Sequence, residues 1–167
     1  MIDKTALVHW LREMDARLKS KITVVTVGGT AMTLLGLKPS TIDIDICIRG
    51  KEKKEFEGAR RDRFKVDMFT DGYIFSEQLP EDYIEKAKEI LMLKNLAVKA
   101  LCPADIIITK AARLNARDEE DIKALVKFVS KEELLKRFSQ VVGTFAGNEE
   151  QYRYHMEIIL KRFYSQP

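Results

Sequence analysis

The chain has 167 residues, enough for one domain with a real core and a helical extension. Its 33% charged and 46% hydrophobic residues are the balance of an ordinary globular protein, which argues against disorder. A net charge of +3 permits nucleotide or nucleic-acid binding without indicating it. No apolar run reaches membrane-spanning length, so a cytoplasmic protein without a membrane partner is expected. Cys47 and Cys102 lack metal-ligand spacing and are predicted to be free thiols.

The first predicted element is an amphipathic helix over residues 3–20, with Asp3 as its N-cap. A β-branched strand over residues 22–27 follows and leads into Gly28 and Gly29. Two residues without Cβ allow a tight strand-to-helix turn at this point. A short apolar helix over residues 31–37 is then expected to pack on the sheet.

The next predicted strand, over residues 42–48, alternates cleanly between two faces. One face carries only isoleucines and is therefore expected to be buried; these are Ile42, Ile44, Ile46 and Ile48. Asp43 and Asp45 then share the opposite face. Two carboxylates one strand period apart, near a glycine turn with backbone N–H groups, can hold divalent cations and receive phosphates.

A charged connection over residues 51–62 is predicted to be helical. Seven basic residues lie between positions 49 and 63, interleaved with glutamates. This pattern is typical of a solvated face, and a polynucleotide or triphosphate surface is the alternative. A strand over residues 64–69 carries Asp67. If this strand pairs beside the D-x-D strand, about 4.8 Å away, Asp67 completes a cluster of three carboxylates.

The rest of the chain is predicted to add a hairpin and then helices. Residues 90–93 and 96–101 form the predicted hairpin. Helices are expected over residues 103–114 and 118–129, then from the capping box at Ser130 towards Gly143, and finally from Asn148 to Phe163. The predicted fold class is α+β, a mixed sheet flanked by helices. Residues 1–102 form the α/β core, and residues 103–167 form a helical region packed with it as one compact unit.

The diglycine, the D-x-D on the next strand and Asp67 on a later strand resemble the signature of the nucleotidyltransferase superfamily related to DNA polymerase β. The resemblance implies that Asp43, Asp45 and Asp67 are catalytic and hold Mg²⁺ or Mn²⁺. It also implies that the turn contacts the triphosphate of a nucleoside triphosphate, through Gly28, Gly29 and Thr30.

A second resemblance covers residues 110–122, which are similar to a segment of AbiEii-type nucleotidyltransferases, the toxins of certain toxin–antitoxin pairs. It implies that Lys110 reaches nucleotide phosphates and that Asp118 or Asp121 stands near the active cleft. Surface ion pairs among these side chains are the alternative. Arg113 and Thr41 complete the candidate site residues.

The predicted function is therefore metal-dependent transfer of a nucleoside monophosphate to a hydroxyl of an RNA such as tRNA, a protein or a small molecule. A toxin of this kind would have a cognate antitoxin protein as a partner. The alternative is an inactive nucleotidyltransferase-fold protein that binds nucleotide, RNA or a protein. Many active members have Gly-Ser where this chain has Gly28-Gly29, a departure that AbiEii-type proteins share.

Overall fold

The computed structural model describes residues 1–61 and 63–165, which divide into two units. The first unit contains Met1–Gly72 and Ile84–Leu101, and the second contains Tyr73–Tyr83 and the chain from Cys102 onward. The segment Tyr73–Tyr83 thus groups with the helices, whereas the sequence assigned it to the core. Asp62, the predicted end of the charged helix, lies outside the described residues, as do the last two residues of the predicted helical region.

The elements are numbered here in chain order. The strands are β1 (Ile2–Asp3), β2 (Ile22–Thr26), β3 (Ser40–Thr41), β4 (Ile44–Ile48), β5 (Val66–Thr70), β6 (Tyr73–Ile74), β7 (Glu77–Gln78), β8 (Lys88–Met92) and β9 (Leu96–Ala100). The helices are α1 (Lys4–Arg17), α2 (Gly28–Leu34), α3 (Gly50–Ala59), α4 (Tyr83–Lys86), α5 (Pro103–Arg113), α6 (Ala116–Leu125), α7 (Lys131–Val141) and α8 (Glu149–Tyr164).

A five-stranded mixed sheet, in the order β5-β4-β2-β9-β8, forms the centre of the first unit. β2 runs antiparallel to β4 and parallel to β9, and β8 and β9 form the predicted hairpin. β4 and β5 are parallel neighbours. The predicted α+β class with a mixed sheet flanked by helices is therefore confirmed, and the strand of Asp67 lies beside the D-x-D strand.

One face of this sheet forms the core of the first unit. Ile44, Ile46 and Ile48 of β4 are buried there, with apolar residues of α1 and α3 packed into the same cluster. Trp10 of α1 and Phe56 of α3 meet edge to face, with their ring centroids 6.3 Å apart. Burial of such apolar surface is the main stabilising contribution to a fold, which explains why the register of β4 is well fixed.

The prediction that Ile42 shares this buried face is wrong. β4 begins at Ile44, and Ile42 is 58% exposed. Just before it, Thr41 of β3 pairs with Ile2 of β1 in a separate short ladder. The chain therefore turns between the two strands, and the period-2 alternation does not hold across that turn. Asp43 consequently lies on the approach to β4 and not within the strand.

The second unit is built mainly from α5, which packs against α6, α7 and α8. Side-chain caps begin three of these helices: Asn115, Ser130 and Asn148 each accept a hydrogen bond from a backbone N–H in the first turn. Tyr152 of α8 is buried and donates its hydroxyl proton to the Ile108 carbonyl at 2.6 Å. Among the described residues, no helix is long and apolar enough to cross a membrane.

Candidate active site

The glycine turn is the first part of the site. α2 begins at Gly28, so both glycines lie in its first turn and not ahead of it as the sequence suggested. Gly28 has a φ of +54°, in the left-handed region that favours glycine. A Cβ on Gly28 would lie 3.7 Å from Asp45 Oδ2, and one on Gly29 would lie 3.0 Å from Thr41 Oγ1. The two glycines therefore let the turn approach the D-x-D segment closely.

Two threonine hydroxyls join the turn to the backbone of the D-x-D segment. Thr30 Oγ1 donates to the Asp43 carbonyl at 3.1 Å and accepts from the Asp45 N–H at 2.9 Å. Thr41 Oγ1 donates to the same carbonyl at 2.9 Å. Thr30 is fully buried, so in this structure its hydroxyl positions the two aspartates. Its predicted contact with the triphosphate stays a prediction.

The three aspartates lie on the β4–β5 edge of the sheet. Asp45 is directly opposite Asp67 in the parallel ladder, and Asp43 lies one strand period before Asp45. Burial, the negative charges of Asp67 and Asp43, and a hydrogen bond between the Asp45 and Asp67 carboxyls together raise the pKa of Asp45 to about 6. This mutual repulsion means that the cluster is stabilised by a cation.

Lys65 provides such a cation, and sequence reasoning missed it. Its Nζ lies 3.7 Å from Asp43 Oδ2 and 3.6 Å from Asp67 Oδ2, and the two carboxylates raise the pKa of the ammonium. The available signal was spacing: Lys65 and Asp67 are two residues apart and therefore share a face of the strand. The sequence pattern thus sets Lys65 on the face of Asp67, but no role was predicted for it.

The three aspartates are suitable ligands for a divalent cation, but their side chains are not arranged around a common metal position. Carboxylate oxygens on two adjacent strands are the ligands that Mg²⁺ and Mn²⁺ prefer. The ammonium of Lys65 shows that a positive charge is held between two of the three carboxylates. Nevertheless, no three His, Cys, Asp or Glu side chains in the described part of the chain are already grouped as metal ligands. Metal binding at Asp43, Asp45 and Asp67 thus requires their side chains to reorient.

The other predicted site residues form one ion-pair network in the second unit. Lys110 Nζ lies 2.8 Å from Asp121 Oδ2 and 3.7 Å from Asp118 Oδ1. Arg113 binds both oxygens of Asp118, at 2.8 and 2.7 Å. Asp118 is fully buried and also completes the capping box with Asn115 at the start of α6. These side chains are ion-paired, but the pairs of Lys110 are largely buried and not on the surface as the alternative supposed. Phosphate binding by Lys110 stays a prediction.

Glu77 of the second unit is a buried acid that the sequence did not single out. It lies on β7 and is 9% exposed, and burial raises the pKa of its carboxyl to about 7. The opposing charges of Arg113 and Asp118 act on it more weakly. Within the described residues, its Oε2 accepts no hydrogen bond. No periodic pattern could reveal this residue, because β6 and β7 have only two residues each.

A glycine turn packed on a D-x-D segment, with a third carboxylate in register on the parallel neighbouring strand, is the arrangement of the nucleotidyltransferase class. The chain belongs to the family described as "Nucleotidyltransferase of unknown function (DUF6036)", which matches residues 5–166. It is therefore a nucleotidyltransferase, as the sequence predicted. The finer resemblance to AbiEii-type toxins is not confirmed by this match and stays a prediction.

Two solved structures share the fold of this chain. A crystal structure of ANT(2″)-Ia in complex with adenylyl-2″-tobramycin has a TM-score of 0.56 at 13% identity, covering 92% of this chain and 98% of that chain. A solution structure of the antibiotic-resistance factor ANT(2″)-Ia has a TM-score of 0.57 at 14% identity, covering 99% and 100%. At these identities the likeness establishes the fold alone. No curated protein matches the chain in sequence.

Proposed function

We propose that this enzyme transfers a nucleoside monophosphate from a nucleoside triphosphate to a hydroxyl acceptor, with Asp43, Asp45 and Asp67 as its catalytic residues. One observation carries the proposal: the register of β4 and β5 sets Asp45 directly opposite Asp67, beside the glycine turn. Asp is a poor strand former, so its use at paired positions of two neighbouring strands calls for a functional reason.

The aspartates are also the residues that would hold Mg²⁺ or Mn²⁺. A bound divalent cation supplies charge neutralisation for the phosphate oxygens and for the departing pyrophosphate. The turn at Gly28 and Gly29, which are both partly exposed, receives the triphosphate through its backbone N–H groups. Thr30 holds the backbone of Asp43 and Asp45 in place while the substrate binds.

The reaction is an in-line displacement at the α-phosphorus. The acceptor oxygen forms a bond to this phosphorus while the bond to the bridging oxygen of pyrophosphate breaks. Asp67, with 40% of its side chain exposed, accepts the proton from the acceptor hydroxyl. Positioning and charge neutralisation do most of the work in phosphoryl transfer, so a site consisting mainly of carboxylates is sufficient.

The acceptor belongs to one of three classes: RNA such as tRNA, a protein side chain or a small molecule. Similarity over nearly the whole chain to ANT(2″)-Ia, whose structure contains an adenylylated tobramycin, supports a small polyhydroxyl acceptor. The toxin version of the function has RNA or protein as its acceptor and an antitoxin as its partner. Toxicity on expression, relieved by co-expression of a neighbouring gene, would support that version.

The test is transfer of label from each α-³²P nucleoside triphosphate, with Mg²⁺ or Mn²⁺, to total RNA, to protein or to a panel of aminoglycosides. Label transfer that is lost on chelation and in Asp43→Asn and Asp45→Asn supports the proposal. Glu57→Gln, which removes an exposed acid of α3, is the matched control and should keep activity. Nucleotide binding without transfer to any acceptor would support the inactive binder instead.

A further inference from the structure

Lys65 occupies a specific place in the β4–β5 ladder. Ile44 pairs with Val66, and Asp43 and Lys65 are the residues that immediately precede this first pair of the ladder. Lys65 and Asp67 are two residues apart and point to the same face. The ammonium is therefore positioned by the sheet itself between the carboxylates of Asp43 and Asp67, 3.7 and 3.6 Å from their oxygens.

The contacts of Lys65 with Asp43 and Asp67 differ from a buried ion pair, of which the Lys110–Asp121 pair of the same chain is an example. The Lys65 side chain is 67% exposed, and both of its distances exceed those of a good hydrogen bond. In the second unit, Lys110 and Asp121 are 10% and 8% exposed and lie 2.8 Å apart. Exposed pairs of the first kind are weak, so Lys65 can leave its carboxylates at low cost.

A divalent cation and the Lys65 ammonium compete for the same carboxylate oxygens. Both are positive, and Asp43 and Asp67 are the residues that would hold the metal in the proposed reaction. The side chain of lysine is a flexible four-carbon stem carrying a point charge, so it can reach another anion nearby once displaced. The triphosphate that enters with the metal provides that anion.

We propose that Lys65 is a built-in counter-ion of the aspartate cluster, displaced by the divalent metal and transferred to the phosphates of the incoming nucleotide. The inference rests on the metal site of the proposed function and adds a nucleotide-contacting residue to it. Its consequence is coupling between ligands: metal binds weakly to the nucleotide-free enzyme, because it must displace the ammonium, and binds more tightly when phosphates receive Lys65. By linkage, metal strengthens nucleotide binding by the same factor.

The experiment measures Mn²⁺ binding to nucleotide-free protein by calorimetry and by the loss of the free Mn²⁺ electron paramagnetic resonance signal. Lys65→Met is expected to bind Mn²⁺ about 3- to 10-fold more tightly than the wild type, because two exposed ion pairs no longer compete. Lys65→Arg keeps the charge and should bind like the wild type. Lys51→Met removes an exposed lysine of α3 with the same change in net charge and should also bind like the wild type.

The second readout is nucleotide binding in the presence of Mn²⁺. Lys65→Met should weaken it about 5-fold or more, although the metal alone binds more tightly, because the phosphates lose their cation. Opposite signs for the two ligands distinguish counter-ion exchange from a purely structural role, which would weaken both.

Three outcomes overturn the inference. Equal or weaker Mn²⁺ binding by Lys65→Met shows that the ammonium does not compete, and unchanged nucleotide affinity shows that it is not transferred to phosphate. Failure of both wild type and Lys65→Met to bind Mn²⁺ removes the metal site and, with it, the proposed function. By contrast, a different result would be tighter Mn²⁺ binding by Lys65→Met than by the wild type, while the wild type transfers label to no acceptor. That result would support the role of Lys65 as a counter-ion and would refute only the proposed transfer reaction.

Discussion

Replacing Glu77 by Gln should change how the stability of the protein depends on pH. Glu77 is 9% exposed, and burial raises the pKa of its carboxyl from 4.5 to about 7. In the unfolded chain this carboxyl ionises near its ordinary pKa. Between the two pKa values the folded state therefore holds a proton that the unfolded state has lost. The stability contributed by this proton is complete below about pH 4.5 and decreases as the pH rises through 7.

The size of the effect follows from the two pKa values. Each pH unit between them corresponds to about 1.4 kcal/mol, so ionisation of Glu77 costs the folded state at most about 3 kcal/mol by pH 8. Gln has nearly the same shape and stays neutral. The Glu77→Gln variant should therefore exceed the free energy of unfolding of the wild type by less than about 1 kcal/mol at pH 5 and by about 3 kcal/mol at pH 8.

Urea denaturation followed by far-ultraviolet circular dichroism, at one-unit steps from pH 5 to 8, measures this difference. Glu157→Gln is the matched control, because Glu157 is an exposed glutamate of α8 in the same unit and its loss should leave the pH profile of the wild type unchanged. Parallel profiles for Glu77→Gln and the wild type would refute the reasoning, since they would show that Glu77 does not hold an extra proton in the folded state.

Three further predictions concern the site and the core of the second unit. Asp45→Asn should lower label transfer by about 100-fold or more, because removing a direct metal ligand costs more than removing a residue that only hydrogen-bonds to a ligand. Unchanged activity would exclude Asp45 from catalysis. An unchanged melting temperature would show that the variant is folded. Gly28→Ala should lower the free energy of unfolding, measured in urea, by about 1–2 kcal/mol, because φ at Gly28 is +54°; Gly58→Ala, inside α3, should not destabilise. Tyr152→Phe should lower the free energy of unfolding by about 1 kcal/mol through loss of the hydrogen bond to Ile108, and a stability equal to that of the wild type would show that this bond contributes nothing.

The sheet that supports the site could be predicted because its strands carry a strong local signal. β4 alternates isoleucine with Asp45 and Cys47, and the buried isoleucines set its register. Asp67 lies within a second run of strand composition. The sequence left open whether the two aspartate-bearing strands are neighbours, and the structure pairs them, with Asp45 opposite Asp67.

The parts that were missed depend on contacts between distant residues. Ile42 continues the alternation of β4 in the sequence, but pairing of Thr41 with Ile2 ends the pattern one residue before it. The sequence does not reveal the role of Lys65, because only the folded chain brings its ammonium within 3.7 Å of Asp43 Oδ2. Glu77 is buried by the packing of the second unit. Its strand has only two residues, so the sequence has no alternating pattern that would predict this burial.

Thr30, the third residue of the glycine motif, connects two elements of the site through its hydroxyl. It binds the carbonyl of Asp43 and the N–H of Asp45, so α2 and the start of β4 are fastened together on either side of Ile44. A shift of the diglycine turn on ligand binding would therefore move the backbone of Asp43 and Asp45 with it. Serine at position 30 would keep these hydrogen bonds, whereas alanine or valine would lose them. Position 30 is therefore restricted by hydrogen bonding, Gly28 by its positive φ and Gly29 by its close approach to Thr41.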